Sequence, residues 1–283
     1  MRKQGRNPGG GFRAKKRLGQ HFLSNPGVRD RIIELAGFGR EDTVLEVGPG
    51  QGALTLPLSR QVKTLVAVEK DRALISPLKA RLAKCGVRNV TLIHRDILSF
   101  DVEKIALPNE KLHVIGNLPY NISTPFLEKL IRNRRHLGRA VLMFQLEVAN
   151  RLTARPHSKA YGAMSVLVQY AAACDPLLSV GRTAFYPRPR VDSMVVTIDF
   201  TRPYPKRAAD ERFFKQVVKA AFAYRRKTLL NSLKVLHPGL DRERLVAGMR
   251  RCAIDPERRA ETLDMDEFIC LASALAIDRP VSA

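Results

Sequence analysis

Thr43-Val44-Leu45-Glu46-Val47-Gly48-Pro49-Gly50-Gln51-Gly52 is the stretch on which the fold turns. Its first five residues read as a short apolar strand. The glycines that follow allow a tight turn and a close approach of backbone to a ligand. Glu69 lies 21 residues beyond Gly48, at the end of a second apolar run, Thr64-Leu65-Val66-Ala67-Val68. A carboxylate there can accept from both hydroxyls of a ribose. Loop and acid together point to a cofactor that carries a nucleoside.

The pattern continues on both sides. Asn25-Pro26 marks a helix start, and Gly37 its stop. Helical stretches are expected at Ala53 to Ser59 and Ala73 to Lys84. Further strands are expected at Val90 to His94, Lys111 to Ile115, Arg139 to Phe144 and Ser193 to Phe200. Strands alternating with helices imply a parallel α/β sheet with crossover helices. Ligands bind beyond the carboxyl ends of such strands, where Glu46, Gly48, Glu69, Asp96 and Asn117 all fall. Pro203-Tyr204-Pro205 marks a boundary, and Asp210 to Leu236 and Asp241 to Ile277 read as helical. The expected division is a flexible basic arm over 1–17, an α/β domain over 18–203 and a small all-helical domain over 204–283.

The 283 residues hold 49 Lys and Arg against 27 Asp and Glu, a net charge of +22. An excess this large fits a polyanionic partner, nucleic acid before membrane. Apolar runs are too short to span a bilayer, and no charged-then-apolar leader is evident. The four cysteines, Cys85, Cys174, Cys252 and Cys270, stand at no metal-ligand spacing. Reduced, mostly buried thiols and a cytoplasmic protein are expected, with no metal and no membrane partner. Nothing marks a dimer seam, so a monomer is expected.

The glycine loop alone is also compatible with a nicotinamide dinucleotide and an oxidoreductase. Its spacing is G-x-G-x-G, however, and Glu46 and Pro49 offer nothing attractive to a pyrophosphate. An acid there suits an ammonium or sulfonium charge, which S-adenosylmethionine carries. Asp96 could accept from the adenine amino group of that cofactor. Asn117-Leu118-Pro119-Tyr120 supplies the complementary chemistry. An exocyclic amine is a poor nucleophile because its lone pair is delocalised into the ring. The Asn117 side-chain oxygen and the Leu118 carbonyl can accept its N–H bonds and favour a pyramidal nitrogen. Tyr120 can stack on an extruded base, and Phe185 can sandwich it from the other side. In Phe185-Tyr186-Pro187-Arg188-Pro189-Arg190, the cations Arg188 and Arg190 can reach phosphates. Arg225-Arg226-Lys227 is read as three cations fanned around a helix, an RNA-docking face.

Asn117 to Tyr120 is similar to the Asn-Pro-Pro-Tyr motifs of methyltransferases that modify amino groups of bases. Together with Lys16 to Leu23, Glu46 to Thr55, Ser158 to Gly162, Phe185 to Ser193 and Arg225 to Leu233, it resembles the ribosomal RNA adenine dimethyltransferases, the bacterial small-subunit branch above all. The resemblance implies a Rossmann-like S-adenosylmethionine-dependent methyltransferase domain followed by the small helical domain. It implies N6,N6-dimethylation of two adjacent adenosines near the 3′ end of 16S rRNA, in the small subunit or its precursor, late in assembly. It assigns cofactor contacts to His21, Leu23, Gly48, Glu69, Asp96 and Asn117. His21 stands where many relatives have Asn, and Arg188 and Arg190 where many have Pro and Lys. The antibiotic-resistance branch that methylates 23S rRNA shares the core motifs, but the Arg225 to Leu233 segment and the long tail favour the small-subunit branch. A non-enzymatic RNA-binding assembly factor on the same fold is disfavoured by the complete Asn117 to Tyr120 motif.

Overall fold

The computed structural model describes residues 15, 19–106, 110–236 and 241–277. The expected arm over 1–17 lies, but for Lys15, outside them, as does the expected stop at His237-Pro238-Gly239.

Strand β1 is Phe22–Leu23, and helix α1 (Pro26–Ala36) starts on Asn25, whose side chain accepts from the Val28 N–H. Gly37 ends it in the left-handed region at φ 58°, where glycine carries no steric cost. Strand β2 (Thr43–Val47), α2 (Thr55–Ser59), β3 (Thr64–Glu69), α3 (Arg72–Lys84) and β4 (Val90–His94) follow. Next come β5 (Leu112–Asn117), α4 (Ser123–Arg132), β6 (Leu137–Gln145), α5 (Leu146–Leu152) and α6 (Ala163–Ala171). Strands β7 (Ala173–Val180), β8 (Phe185–Tyr186) and β9 (Ser193–Asp199) complete the strand set among the described residues. Helices α7 (Glu211–Ala221), α8 (Leu229–Leu233), α9 (Arg242–Arg251) and α10 (Met265–Ile277) end the described chain.

Seven strands form one sheet in the order β4-β3-β2-β5-β6-β9-β7. Strands β2 to β6 run parallel, and β9 is antiparallel to both of its neighbours. Strand β2 has β3 on one side and β5 on the other, so the strand order reverses there. A crevice opens beyond the carboxyl ends at such a reversal. All five β2 residues are buried, including Glu46. A second, two-stranded sheet pairs β1 with β8, Phe22 opposite Tyr186 and Leu23 opposite Phe185.

The α/β architecture with a helical tail is as expected. Strand β7 is an addition: Asp175-Pro176 conceals it, and Pro is tolerated because β7 is an edge strand whose register shifts between Pro176 and Leu178. The run from Asp210 to Leu236 is not one helix. It breaks after Ala221, passes through a turn and restarts at Leu229, whose N–H donates to the Arg258 carbonyl. Arg225, Arg226 and Lys227 therefore lie in that turn and do not fan around a helix. The thiol expectation is also corrected. Cys252, at the end of α9, is disulfide-bonded to Cys270 on α10, with Cα atoms 5.8 Å apart, and Cys85 is exposed. Packing of α9 on α10 brings the two within bridging range, and the argument from reduced thiols to a compartment falls away. One apolar cluster runs from the sheet (Leu45, Val114, Leu142) through Tyr170 into Phe214, Val217 and Phe268 of the tail.

Candidate functional site

Beyond β2, β3 and β5 lies a cleft lined by His21, Leu23, Glu46, Gly48, Glu69, Asp96, Asn117 and Leu118, among others. Every residue the sequence reading assigned to the cofactor lines this one cleft. Gly48 and Gly50 take φ of 66° and 58°. At Gly50 a Cβ would also stand 3.1 Å from the Phe22 ring, so glycine is required there on two counts. The turn aims the Gly50 N–H at Glu69 Oε2, 3.0 Å away. Oε1 of Glu69 accepts from the Asp71 N–H at 2.7 Å. Each oxygen keeps a lone pair for a hydroxyl of a ligand. Burial raises the Glu69 pKa.

Glu46 is 1% exposed, and its Oε2 has no hydrogen-bond partner. Burial, with the nearby negative charge of Glu69, pushes its pKa up to about 8. A buried acceptor without a donor costs free energy. A ligand that brings an ammonium or sulfonium charge would favour the ionised Glu46 carboxylate, whereas a pyrophosphate would oppose its ionisation. The residues therefore fit S-adenosylmethionine and not a dinucleotide. Asp96 accepts from Lys70 Nζ at 2.6 Å and from the Leu98 N–H at 2.9 Å. Burial opposes ionisation of this carboxyl, but these partners hold its pKa below the usual carboxylate range.

Asn117 ends β5, and its Nδ2 donates to the His21 carbonyl at 2.8 Å. A carbonyl only accepts, so the amide orientation is decided: nitrogen toward His21, Oδ1 away from it. Leu118 is 1% exposed and its N–H donates to the Met143 carbonyl. Its carbonyl is thus the group it has to offer. Tyr120 opens a short 3-10 turn, Tyr120–Ile122, directly after Pro119.

His21 Nδ1 lies 2.6 Å from the Pro187 carbonyl, so that nitrogen carries the proton. Ser24 and Asn25 N–H both reach the Ala184 carbonyl. These bonds stitch the 21–25 segment to the proline loop. Phe185 is not offered to solvent: it is 4% exposed and packs with Leu23, Ile115 and Val195. Tyr186 is the exposed aromatic of the loop, at 41%. The sandwich expected of Phe185 conflicts with strand alternation, because residue 185 faces inward and residue 186 outward.

Asp71 was missed. It is 3% exposed and accepts from Lys15 Nζ at 2.6 Å, Gln20 Nε2 at 2.9 Å and the Ala73 N–H at 3.1 Å. Burial opposes ionisation, but these donors keep its pKa low. Its place before α3 marks it as a helix cap, whereas its hold on residues more than 50 positions earlier leaves no local signal. Arg188, Arg190 and Arg226 are exposed, and Arg225 donates from Nη2 to the Lys159 carbonyl at 2.8 Å. Among the described residues no group of three metal-ligating side chains occurs, and no helix is long and apolar enough to cross a membrane.

Comparison with known proteins gives the family. The family profile described as "Ribosomal RNA adenine dimethylase" matches residues 11–276. "Ribosomal RNA small subunit methyltransferase A" of Desulforapulum autotrophicum is 44% identical over 262 residues, covering 93% of this chain and 92% of its own. The protein of the same name from Bacillus cereus (strain B4264) is 41% identical over 278 residues, covering 95% and 94%. Among solved structures, a dimethyladenosine transferase from Plasmodium falciparum superposes with a TM-score of 0.75 at 27% identity, covering 89% of this chain and 96% of its own. A 23S rRNA methyltransferase, ErmE, gives 0.68 at 24% identity over 90% and 99%, a likeness of fold. With the profile spanning almost the whole described chain, the chain belongs to the ribosomal RNA adenine dimethylase family.

Proposed function

We propose that this enzyme dimethylates two adjacent adenosines at N6 near the 3′ end of 16S rRNA, on the small subunit or its precursor late in assembly. The observation that carries the reaction type is the Asn117 amide. The His21 carbonyl fixes its nitrogen, leaving Oδ1 as an oriented acceptor at the mouth of the cleft. Asn117 Oδ1 and the Leu118 carbonyl hold the two N–H bonds of an adenine amine. That turns the nitrogen lone pair out of conjugation. Tyr120 and the loop that Phe185 backs confine the extruded base. No strong base is needed, since the amine proton becomes acidic as the nitrogen is alkylated.

His21, Leu23, Gly48, Glu69, Asp96 and Asn117 hold S-adenosylmethionine, Glu69 at the ribose and Asp96 at the adenine. When bound, the cofactor supplies an electrophilic methyl group. Glu46 balances its positive charge. The segment 204–283, with Arg225, Arg226 and Lys227 in the turn between α7 and α8, is the rRNA-docking unit. Arg188 and Arg190 hold phosphates beside the target. The protein acts as a cytoplasmic monomer, with no metal.

The test is incubation with undermethylated small subunits and labelled S-adenosylmethionine, then mapping of the modified bases. Label at N6 of two adjacent adenosines of 16S rRNA is expected. Label confined to 23S rRNA would move the assignment to the resistance branch. No label on any adenine would refute methyl transfer to RNA amines. A parallel titration with NADH should show no binding.

A further inference from the structure

Along the proline loop, burial alternates. Phe185 and Pro189 are buried, Pro187 is half-buried, and Tyr186, Arg188 and Arg190 are exposed. The loop thus turns one aromatic and two guanidinium groups outward, each two residues from the next. The prolines between them fix their own φ, which stiffens the row. Among the described residues, the side chains of Tyr186, Arg188 and Arg190 find no ion-pair or hydrogen-bond partner. The one acid of this stretch, Asp192, is engaged at the loop base by the Arg182 N–H at 2.9 Å.

This row is tied to the reacting corner. Pro187, between Tyr186 and Arg188, offers its carbonyl to His21 Nδ1 at 2.6 Å, and the carbonyl of the same His21 holds Asn117 Nδ2 at 2.8 Å. Two hydrogen bonds through one residue therefore separate the amine-binding amide from the loop. An exposed aromatic costs solubility and gains nothing from solvent. Beside unpaired guanidinium groups it has the composition of a single-strand RNA platform: bases stack on the ring and phosphates meet the cations.

We propose that Tyr186 stacks on the base next to the target adenosine, with Arg188 and Arg190 holding the phosphates of that strand. The extruded adenosine leaves its neighbour without a stacking partner on one side, and Tyr186 takes that place. The proposal rests on the rRNA reading above.

The experiment uses the full-length protein and a short fluorescently labelled single-stranded RNA with two adjacent adenosines. Versions carry an abasic site directly 5′ or 3′ of the pair. Binding is followed by anisotropy for wild type, Tyr186→Ala and Tyr186→Phe. Tyr186→Ala is expected to weaken binding of the intact RNA by about 5- to 100-fold, and Tyr186→Phe by less than about 2-fold. On one abasic RNA, wild type should drop to the level of Tyr186→Ala, and the two should then bind alike. On undermethylated small subunits, Tyr186→Ala should raise KM by about ten-fold and leave kcat within about two-fold. Equal binding of wild type and Tyr186→Ala to intact RNA would overturn the proposal. So would an unchanged ratio between them on both abasic RNAs. Methyl transfer by wild type is scored separately, so its failure would count against the rRNA reading while the binding cycle still judges Tyr186.

Discussion

The cleft and the outer basic surface handle charge in opposite ways. In the cleft Glu46 and Glu69 are almost wholly buried, as is Asp71 beside it; backbone N–H groups hold Glu69 and Asp71, and Lys15 and Gln20 also hold Asp71. On the surface, Arg188, Arg190 and Arg226 stand exposed on a loop and a turn. A buried, oriented carboxylate recognises one small ligand of defined shape. Loosely held exposed cations recognise a polyanion through its charge and release of counterions. Under the proposed function, the contrast would separate the residues that set the reaction from those that set the address, and each piece can be tested.

The largest effect is expected at Asn117. Asn117→Ala removes the oriented acceptor and should lower single-turnover methyl transfer by about 100- to 1000-fold. Small-subunit binding should stay within about three-fold. Near-normal turnover would break the division at its centre. On the other side, charge reversal of Arg225 and Arg226 to Glu should weaken small-subunit binding by about 10- to 100-fold. It should also flatten the dependence of log affinity on log salt by about two. Binding that is unchanged across a salt series would remove the turn from the RNA face.

The next effect is in pH. The Glu46 pKa rises from 4.5 to about 8 on burial. A raised folded-state pKa means stability that is fully present below the unfolded value and lost as pH rises through the folded one. The ligand-free protein should therefore lose stability between about pH 4.5 and 8, and Glu46→Gln should flatten that part of the curve. A cationic cofactor favours ionised Glu46, so its affinity should rise as pH approaches 8, with release of a proton on binding. Calorimetry in two buffers of different ionisation enthalpy checks the proton, and Glu46→Gln should abolish its release. The smallest effect on function is expected from the disulfide. Replacing Cys252 and Cys270 by Ser opens a link across 18 residues, for which loop entropy gives about 3 kcal/mol. Thermal melting should fall by several degrees, with kcat unchanged.

The parallel half of the fold was legible because its signals are local. Thr43–Val47, Thr64–Glu69 and Val90–His94 are short apolar runs with a polar group at or next to their last residue, and Asn25 and Gly37 bracket α1. Glu46, Gly48, Glu69, Asp96 and Asn117 were legible for the same reason, each lying at or just past a strand end, whereas His21 and Leu23 followed only from the family resemblance. What stayed hidden depends on distant partners. Strand β7 carries a proline that only an edge position permits. The break at Phe222 to Thr228 is set by the Arg258 and Pro256 carbonyls, which take the Leu229 and Leu230 N–H groups. The Cys252–Cys270 pair depends on how α9 packs on α10. Phe185 and Tyr186 differ by one residue, and a one-residue step in an extended segment exchanges inside for outside.

Asp71 couples two events in the history of the chain. Lys15 and Gln20 leave the ribosome early, yet the carboxylate that anchors them follows 56 and 51 residues later. That carboxylate is buried only once β3 has delivered Glu69 to its place and α3 has begun. The anchor of the segment that leads into His21 and Leu23 therefore forms only after β3 and the start of α3 are in place. Local order in the sequence and order of assembly thus differ: one of the first segments made is among those whose anchor comes late.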